Sequence, residues 1–413
     1  MNLKRLFRCG AQAGGRFLRG SVLPAATAFL LGWAAVAPAA EAPALVRTPA
    51  PLVDLDRAHE VRLVYFVPTD REPTRAWRDK IGVVATFVAD VFRESLGRQG
   101  YATRGLGVAF AEDGRPRVDL VRGKHPAAHY SGAPAFAFMR QWRTVLPEVE
   151  AAVGPRRRAL TVTFAETYEP GPAKFEWPGG VALGCQFTAR GGAGLFSAWI
   201  LRDDFCAETV AEQLRLLADT TPICGRTALG HGRKDSPRFE FIEDGFGAVA
   251  HELGHAFGLV HDHRRDGRYV MGNGFRNLRR NYIGPPPTEP VGFSPANARM
   301  LAHSPFLAEA PDLADTEPPK VTLGPPKGPL KVGATAVPIA GRATDDRGLA
   351  AVVYFVREMD SVVGGADLSG TAADLAVSLT VAPLKAGTCR VRVLVIDRGG
   401  NVGSAEVTCE VGE

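Results

Sequence analysis

The chain has 413 residues, 46% hydrophobic and 23% charged, enough apolar material for more than one core and too little bias for a disordered, collagenous or membrane-bundle protein. Its 49 basic and 44 acidic residues give a net charge of +5, and Lys4, Arg5, Arg8, Arg16 and Arg19 supply that whole excess. The rest of the chain is close to neutral, so charge gives no ground for a nucleic-acid or anionic-membrane partner.

Those five cations precede an apolar stretch from Val22 to Val36 and then Ala37-Pro38-Ala39-Ala40-Glu41-Ala42. This is the pattern of a secretory signal, with small residues suited to cleavage after Ala39 or after Ala42. The apolar run is about fifteen residues long and contains Pro24, short of the ~20 that a span requires. Residues 1–42 are therefore read as a signal peptide. The mature protein is expected to be secreted, extracellular or periplasmic, without a transmembrane segment.

Next comes an α/β alternation. Arg62 to Val67 reads as a strand ending at Pro68, and Trp77 to Leu96 as a helix with Ile81, Val84, Val88, Val91 and Phe92 at helical spacing. Strands are expected near Val108, at Val118 to Val121, at Leu160 to Phe164 and at Leu195 to Leu201. Helices are expected at Ala135 to Val153 and Glu208 to Ala218. His125 and His129 repeat a four-residue spacing, but Pro126, Gly123 and Ser131-Gly132 favour a loop there.

The chemistry concentrates in His251-Glu252-Leu253-Gly254-His255-Ala256-Phe257-Gly258-Leu259-Val260-His261-Asp262. On a helix, His251 and His255 lie one turn apart on the same face and reach one metal, while Phe246, Val249, Leu253 and Phe257 form an apolar arc opposite. Gly258 permits a left-handed turn that returns His261 as a third ligand. Three ligands leave one tetrahedral position open, as in a catalytic rather than a structural zinc site. Glu252 flanks the metal as general base and acid. With His near 2% of residues, the constellation arises by chance in roughly a few chains per 100,000 of this length.

HELGHAFGLVHD resembles the extended zinc signature of the metzincin metallopeptidases, in the reprolysin-like variant where an aspartate follows the third histidine. The resemblance implies a methionine on a tight turn beneath the metal, and Met271, between Val270 and Gly272-Asn273-Gly274, is the candidate. A tyrosine often stands two residues after that methionine in the family. Asn273 stands there in this chain. Asp262 is expected to support the ligands by accepting from an imidazole or from backbone near Met271. His263 is an outside competitor for the metal. Ser294-Pro295 opens a helix resembling the one that closes metzincin catalytic domains. The resemblance covers about residues 244–303, and it implies an edge strand that takes up extended substrate without saying which strand that is.

After Phe306, residues 308–319 are acidic, proline-rich and aperiodic, and read as a linker. Short β-rich runs at 320–323, 331–338, 350–356, 376–382, 389–396 and 404–411 give the patterning of a β-sandwich. The stretches around Asp345-Asp346-Arg347-Gly348 and Asp397-Arg398-Gly399-Gly400-Asn401 resemble loops of bacterial immunoglobulin-like domains. Asp345 and Asp346 are read as a solvated turn; a calcium ion there has no support in the sequence. A hairpin about residue 399 places Cys389 opposite Cys409, a candidate disulfide. With Cys9 removed, Cys185, Cys206 and Cys224 remain, and their pairing is open.

The fold expected is α+β: a metzincin-like catalytic domain at 43–307, with a twisted mixed sheet and an active-site helix, then the linker and an all-β Ig-like sandwich at 320–413. The function expected is a secreted zinc endopeptidase that hydrolyses peptide bonds with a zinc-activated water, Glu252 moving the protons, on a protein or peptide substrate. The rival is a non-hydrolytic extracellular binding or adhesion protein with a zinc-stabilised domain. The presence of Glu252 argues against the rival, because a purely structural site has no use for that carboxylate.

Overall fold

The computed structural model describes residues 43–54, 60–131, 137–155, 159–170, 175–176, 181–223, 235–265, 267–326 and 328–412. The expected signal peptide, Cys9 and Cys224 lie outside them. No helix among the described residues is long and apolar enough to cross a membrane.

The main sheet consists of β1 (Val61–Val67), β2 (Val118–Arg122), β3 (Leu160–Ala165), β4 (Ala182–Thr188) and β5 (Gly191–Ser197), in the order β2-β1-β3-β5-β4. The first four of that order run parallel, and β4 closes one edge antiparallel to β5. Parallel strands are buried on both faces, which explains the unbroken apolar run of β1. Leu63, Tyr65 and Val67 enter the core on one face, and Val64 and Phe66 enter a second core on the other.

Five helices pack around the sheet: α1 (Trp77–Arg98), α2 (Ala137–Val153), α3 (Val210–Ala218), α4 (Arg238–Ala256) and α5 (Pro295–Ala302). α1 and α4 meet in the larger core, where Phe87 lies 5.7 Å from Phe246 and Phe92 lies 5.2 Å from Phe257, centroid to centroid. The apolar arc expected on α4 is buried along its length, each large side chain contributing about 1.5–3 kcal/mol. Ser294 caps α5 by accepting from Asn297 N–H at 3.2 Å.

Three expectations are corrected here. The strand expected at Leu195 to Leu201 is β5, shifted to 191–197, with a 3₁₀ turn over Ala198–Leu201; β4 was not foreseen. β5 has three glycines in seven residues and little apolar alternation, whereas β4 alternates Leu183, Cys185 and Phe187 with Gly184, Gln186 and Thr188. The strand at Val108 is a two-residue pairing of Gly107–Val108 with Val53–Asp54, outside the main sheet. The His125 region is not wholly loop: Ala127–Tyr130 makes one helical turn, which Pro126 tolerates because it sits just before it. The His125 and His129 rings stack at 4.0 Å, with no third metal-ligating group beside them among the described residues.

The C-terminal region is all β: β6 (Lys320–Leu323), β7 (Leu330–Lys331), β8 (Ala336–Ile339), β9 (Gly341–Thr344), β10 (Leu349–Val356), β11 (Ser361–Asp367), β12 (Ala372–Asp374), β13 (Val377–Thr380), β14 (Gly387–Asp397) and β15 (Val402–Gly412). A five-stranded sheet, β7-β15-β14-β10-β11, shares one core with the smaller sheets β6-β9-β12 and β8-β13. The single run expected at 331–338 is two strands, and β9, β11 and β12 were not foreseen.

β10 is apolar throughout because it too is buried twice. Val352, Tyr354 and Val356 face the β core, while Ala351 and Val353 join Ala298, Met300 and Leu301 of α5 in the core of the N-terminal domain. The β region is thus seated on the α/β domain. Cys389 stands opposite Cys409 in the β14–β15 ladder, as the hairpin reading requires. Their expected disulfide is not formed, and both are free, buried thiols. Burial pushes Cys389 up to about 11 and raises Cys409, which withholds the thiolate that exchange needs.

Candidate metal and catalytic site

α4 ends in a Schellman turn. Leu259 N–H donates to Gly254 O and Gly258 N–H to His255 O, each at 3.0 Å, with Gly258 at φ +87°. The chain therefore reverses where the sequence places Gly258, and His261 comes back over the helix face. Its ring lies 5.3 Å from His251 and 4.8 Å from His255.

Each imidazole is oriented by its outer nitrogen. His251 Nδ1 donates to Val270 O at 2.7 Å and His255 Nδ1 to Leu259 O at 2.9 Å; a carbonyl only accepts, so these protons are on Nδ1. His261 Nδ1 lies 2.8 Å from Asp360 Oδ2. The Nε2 lone pairs are thereby turned inward. His255 Nε2 and His261 Nε2 are 3.1 Å apart, and in the neutral tautomers with the proton on Nδ1 each presents a lone pair to the other. That is close to the ~3.3 Å separating two nitrogens on one tetrahedral zinc with bonds of about 2.05 Å. Two facing lone pairs repel unless a cation lies between, so the three residues fit a metal ion. Burial, reinforced by the neighbouring imidazoles, lowers His251 and brings His255 down to about 4, which keeps both neutral as ligands must be.

Glu252 follows His251 on α4, is partly exposed as a residue, and its Oε2 accepts from Gly184 N–H of β4 at 2.8 Å. Burial pushes its carboxyl up to about 8, with the Gly184 hydrogen bond opposing. Sequence reading did not find Gly184. The signal was there, since glycine inside a strand marks a close backbone approach. A Cβ at residue 184 would lie 1.6 Å from Glu252 O.

Met271 is fully buried below α4, where a Cβ on Gly254 would meet its sulfur at 2.4 Å. Its carbonyl accepts from Asp262 N–H at 2.9 Å. Asp262 departs from the expectation for its side chain. The carboxylate is buried and chelated by Arg264 at 2.6 and 2.9 Å, so it touches no imidazole, and only its backbone reaches Met271. An arginine two residues away takes both oxygens. His263 is exposed, its ring 5.4 Å from that of His261.

The carboxylate that does hold an imidazole is Asp360, ninety-nine positions away from His261 in the β region. It sits between β10 and β11 at φ +46°, a left-handed conformation that costs an aspartate about 1 kcal/mol or more. Burial opposes its charge, but the His261 hydrogen bond and the surrounding imidazoles hold it below the usual carboxylate range. On either side, Val362 N–H donates to His261 O and His263 N–H to Ser361 Oγ, both at 2.9 Å. Asp360 and the start of β11 therefore clamp His261 at two points and its neighbour His263 at a third. No local pattern in the sequence announces this, because the contact exists only once the β region docks.

Fold and site together define an α/β domain with three convergent imidazoles and an adjacent carboxylate, completed by a β domain. Neither a protein-family model nor a curated protein matches the sequence. Among solved structures the chain is similar to OgpA from Akkermansia muciniphila. The catalytically inactive form of OgpA in complex with an O-glycopeptide (glycodrosocin) substrate aligns with a TM-score of 0.62 and 16% identity, covering 87% of this chain and 95% of that one. Two crystal forms of wild-type OgpA give TM-scores of 0.61 and 0.60 at 16% and 17% identity. At this identity the likeness is one of fold, and it extends over both domains.

Proposed function

We propose that this chain is a secreted, zinc-dependent endopeptidase of metzincin type whose C-terminal domain is Ig-like, acting on peptides that carry O-linked glycans. The observation that carries the reading is one ring nitrogen from each of His251, His255 and His261 gathered within 4.8 Å of one another, with Glu252 next to His251 on the same helix. The substrate class rests on the O-glycopeptide held by OgpA, whose fold this chain shares along most of its length.

When bound, zinc lowers the pKa of a water to about 7 and polarises the scissile carbonyl. His251, His255 and His261 hold the ion. Glu252, with Oε2 tied to Gly184, offers Oε1 to take the proton of the attacking water and return it to the departing amine nitrogen. A carboxyl raised toward neutrality suits both transfers. β4 is the sheet edge beside α4, and the Gly184 N–H points away from β5 toward Glu252. An extended peptide added along β4 would present its backbone to that carboxylate. Met271 underlies the ligand helix as the Met-turn residue.

The assay is cleavage of an O-glycosylated peptide and of its unglycosylated twin, with and without o-phenanthroline. Cleavage of the glycosylated peptide that stops with chelator and returns with zinc is expected. Cleavage indifferent to chelator rules out the zinc mechanism, and preference for the bare peptide rules out the glycopeptide assignment.

Asp360 holds His261 in this reading, and carboxylates in that position change metal affinity by about 10–100-fold. Asp360→Ala is expected to weaken zinc binding by that amount in a chelator competition, and Asp360→Asn by less, because its amide oxygen still accepts. Equal zinc affinity in all three proteins would remove Asp360 from the site.

A further inference from the structure

A second cluster of carboxylates lies far from the histidines, where the segment after α5 meets the β domain. Asp315 of the presumed linker, Asp345 of the β9–β10 turn and Asp397 at the end of β14 bring one oxygen each within 4.8 Å of one another. Asp315 is 1% exposed and Asp397 fully buried. Among the described residues no lysine, arginine or histidine pairs with any of the three. Arg347, two residues after Asp345, turns its guanidinium to Asp312 at 2.9 and 3.1 Å, and Arg190 reaches only the backbone carbonyl of Asp315.

Backbone and Asn401 donors anchor the cluster on one side: Asp345 through one oxygen, Asp397 through both, and Asp315 through Oδ1, with Asp315 Oδ2 left over. Asp345 Oδ1 accepts from Arg347 N–H and Gly348 N–H at 2.9 and 2.6 Å. Asp397 Oδ1 accepts from Asn401 N–H at 2.8 Å. Asn401 Nδ2 reaches Asp397 Oδ2 at 3.0 Å and Asp315 Oδ1 at 3.4 Å. Asp315 Oδ2 is buried with no partner within hydrogen-bond distance, although the Glu317 N–H lies near enough to the carboxyl to favour its charge. A buried carboxylate oxygen without a donor costs about 1–3 kcal/mol or more. Burial and the neighbouring carboxylates also raise Asp315 and push Asp397 up to about 6.

We propose that Asp315, Asp345 and Asp397 bind one calcium ion. The donors are all oxygens, which excludes zinc as the preferred occupant, and their irregular spacing with a half-exposed Asp345 suits the flexible coordination of calcium, waters filling the solvent side, rather than the octahedron magnesium demands. Arg190, in the turn between β4 and β5, donates to the carbonyls of Leu313 and Asp315. The ion would therefore fasten the presumed linker to the β domain at the point where it also touches the hairpin bearing β4. The sequence had suggested Asp345 and Asp346 as a solvated turn. The fold leaves Asp346 exposed and replaces it with Asp315 and Asp397.

The test uses the zinc-loaded full chain in calcium-free buffer, titrated with calcium chloride alone in a calorimeter and followed by thermal unfolding, with magnesium chloride as control. One calcium per chain is expected, at a Kd of about 10⁻⁴–10⁻³ M or tighter. At 100 times that Kd the folded-to-unfolded ratio rises about 100-fold, which moves the melting temperature upward. Asp315→Asn and Asp397→Asn should melt no lower than wild type without calcium, since each removes a repelling charge, and should lose the calcium-dependent rise. Asp345→Asn, at the half-exposed position, should weaken binding by tenfold or more. Absence of heat and of a melting shift in wild type at about 10 mM calcium overturns the proposal. An unchanged calcium response in the three variants overturns it equally.

Discussion

Replacing Glu252 with glutamine is expected to lower kcat/KM on the O-glycopeptide by at least about 10²–10⁴-fold while leaving the fold and the metal in place. The amide is isosteric, and its oxygen still accepts from Gly184 N–H, now at 2.8 Å from Oε2. It cannot take a proton from water or deliver one to an amine. The loss therefore falls on kcat, because the group acts as bonds break and does not hold the ground state. Steady-state kinetics combined with metal analysis separates this from a ligand effect. Activity within tenfold of wild type, with zinc bound, would place the proton transfers elsewhere.

The second large effect is structural and acts through the same carboxylate. Gly184→Ala puts a methyl 1.6 Å from the Glu252 carbonyl oxygen and 2.5 Å from its carbon. Backbone cannot swing aside as the end of a side chain can, so either β4 leaves α4 or the helix shifts. Overpacking against mobile side chains typically costs about 1–3 kcal/mol, and backbone against backbone belongs at or above the top of that range. A fall in melting temperature of about 4 °C or more is expected, with loss of the hydrogen bond that aims Glu252. Gly97 near the end of α1 is the control. A Cβ there meets nothing within 4 Å, and alanine should be neutral or stabilising by up to about 1 kcal/mol. If both substitutions shift melting equally, close approach is not why residue 184 is glycine.

The part of the molecule legible in the sequence is the part written in short-range periodicity. α1, α2 and α4, the strands β1 to β3 and the turn at Gly258 follow from apolar spacing and from the conformational demands of one glycine. The histidine triad was legible for the same reason, because His251, His255 and His261 lie within eleven residues and one helix end relates them. β5 was obscured because Gly191, Gly192 and Gly194 erase the alternation by which strands are recognised, while β4 does carry that signal in Leu183, Cys185 and Phe187.

Asp360, Asp315 and Asp397 were illegible for a different reason. Each acquires its role from a partner brought close only when the β region seats on α5, and an isolated aspartate in a turn looks the same whether it faces solvent, a histidine or a cation. Asp262 shows the converse. Its position beside His261 suggested support for a ligand, yet the nearer arginine takes its charge.

One measurement bears most directly on the account: zinc per chain, by elemental mass spectrometry, in the purified wild-type protein and in His261→Ala after dialysis against a weak chelator. One zinc per wild-type chain, lost or sharply reduced in the variant, is the predicted result. A wild-type protein without stoichiometric metal, or a variant that keeps it, would contradict the claim that three imidazoles, the third braced from the β domain, close on a single ion.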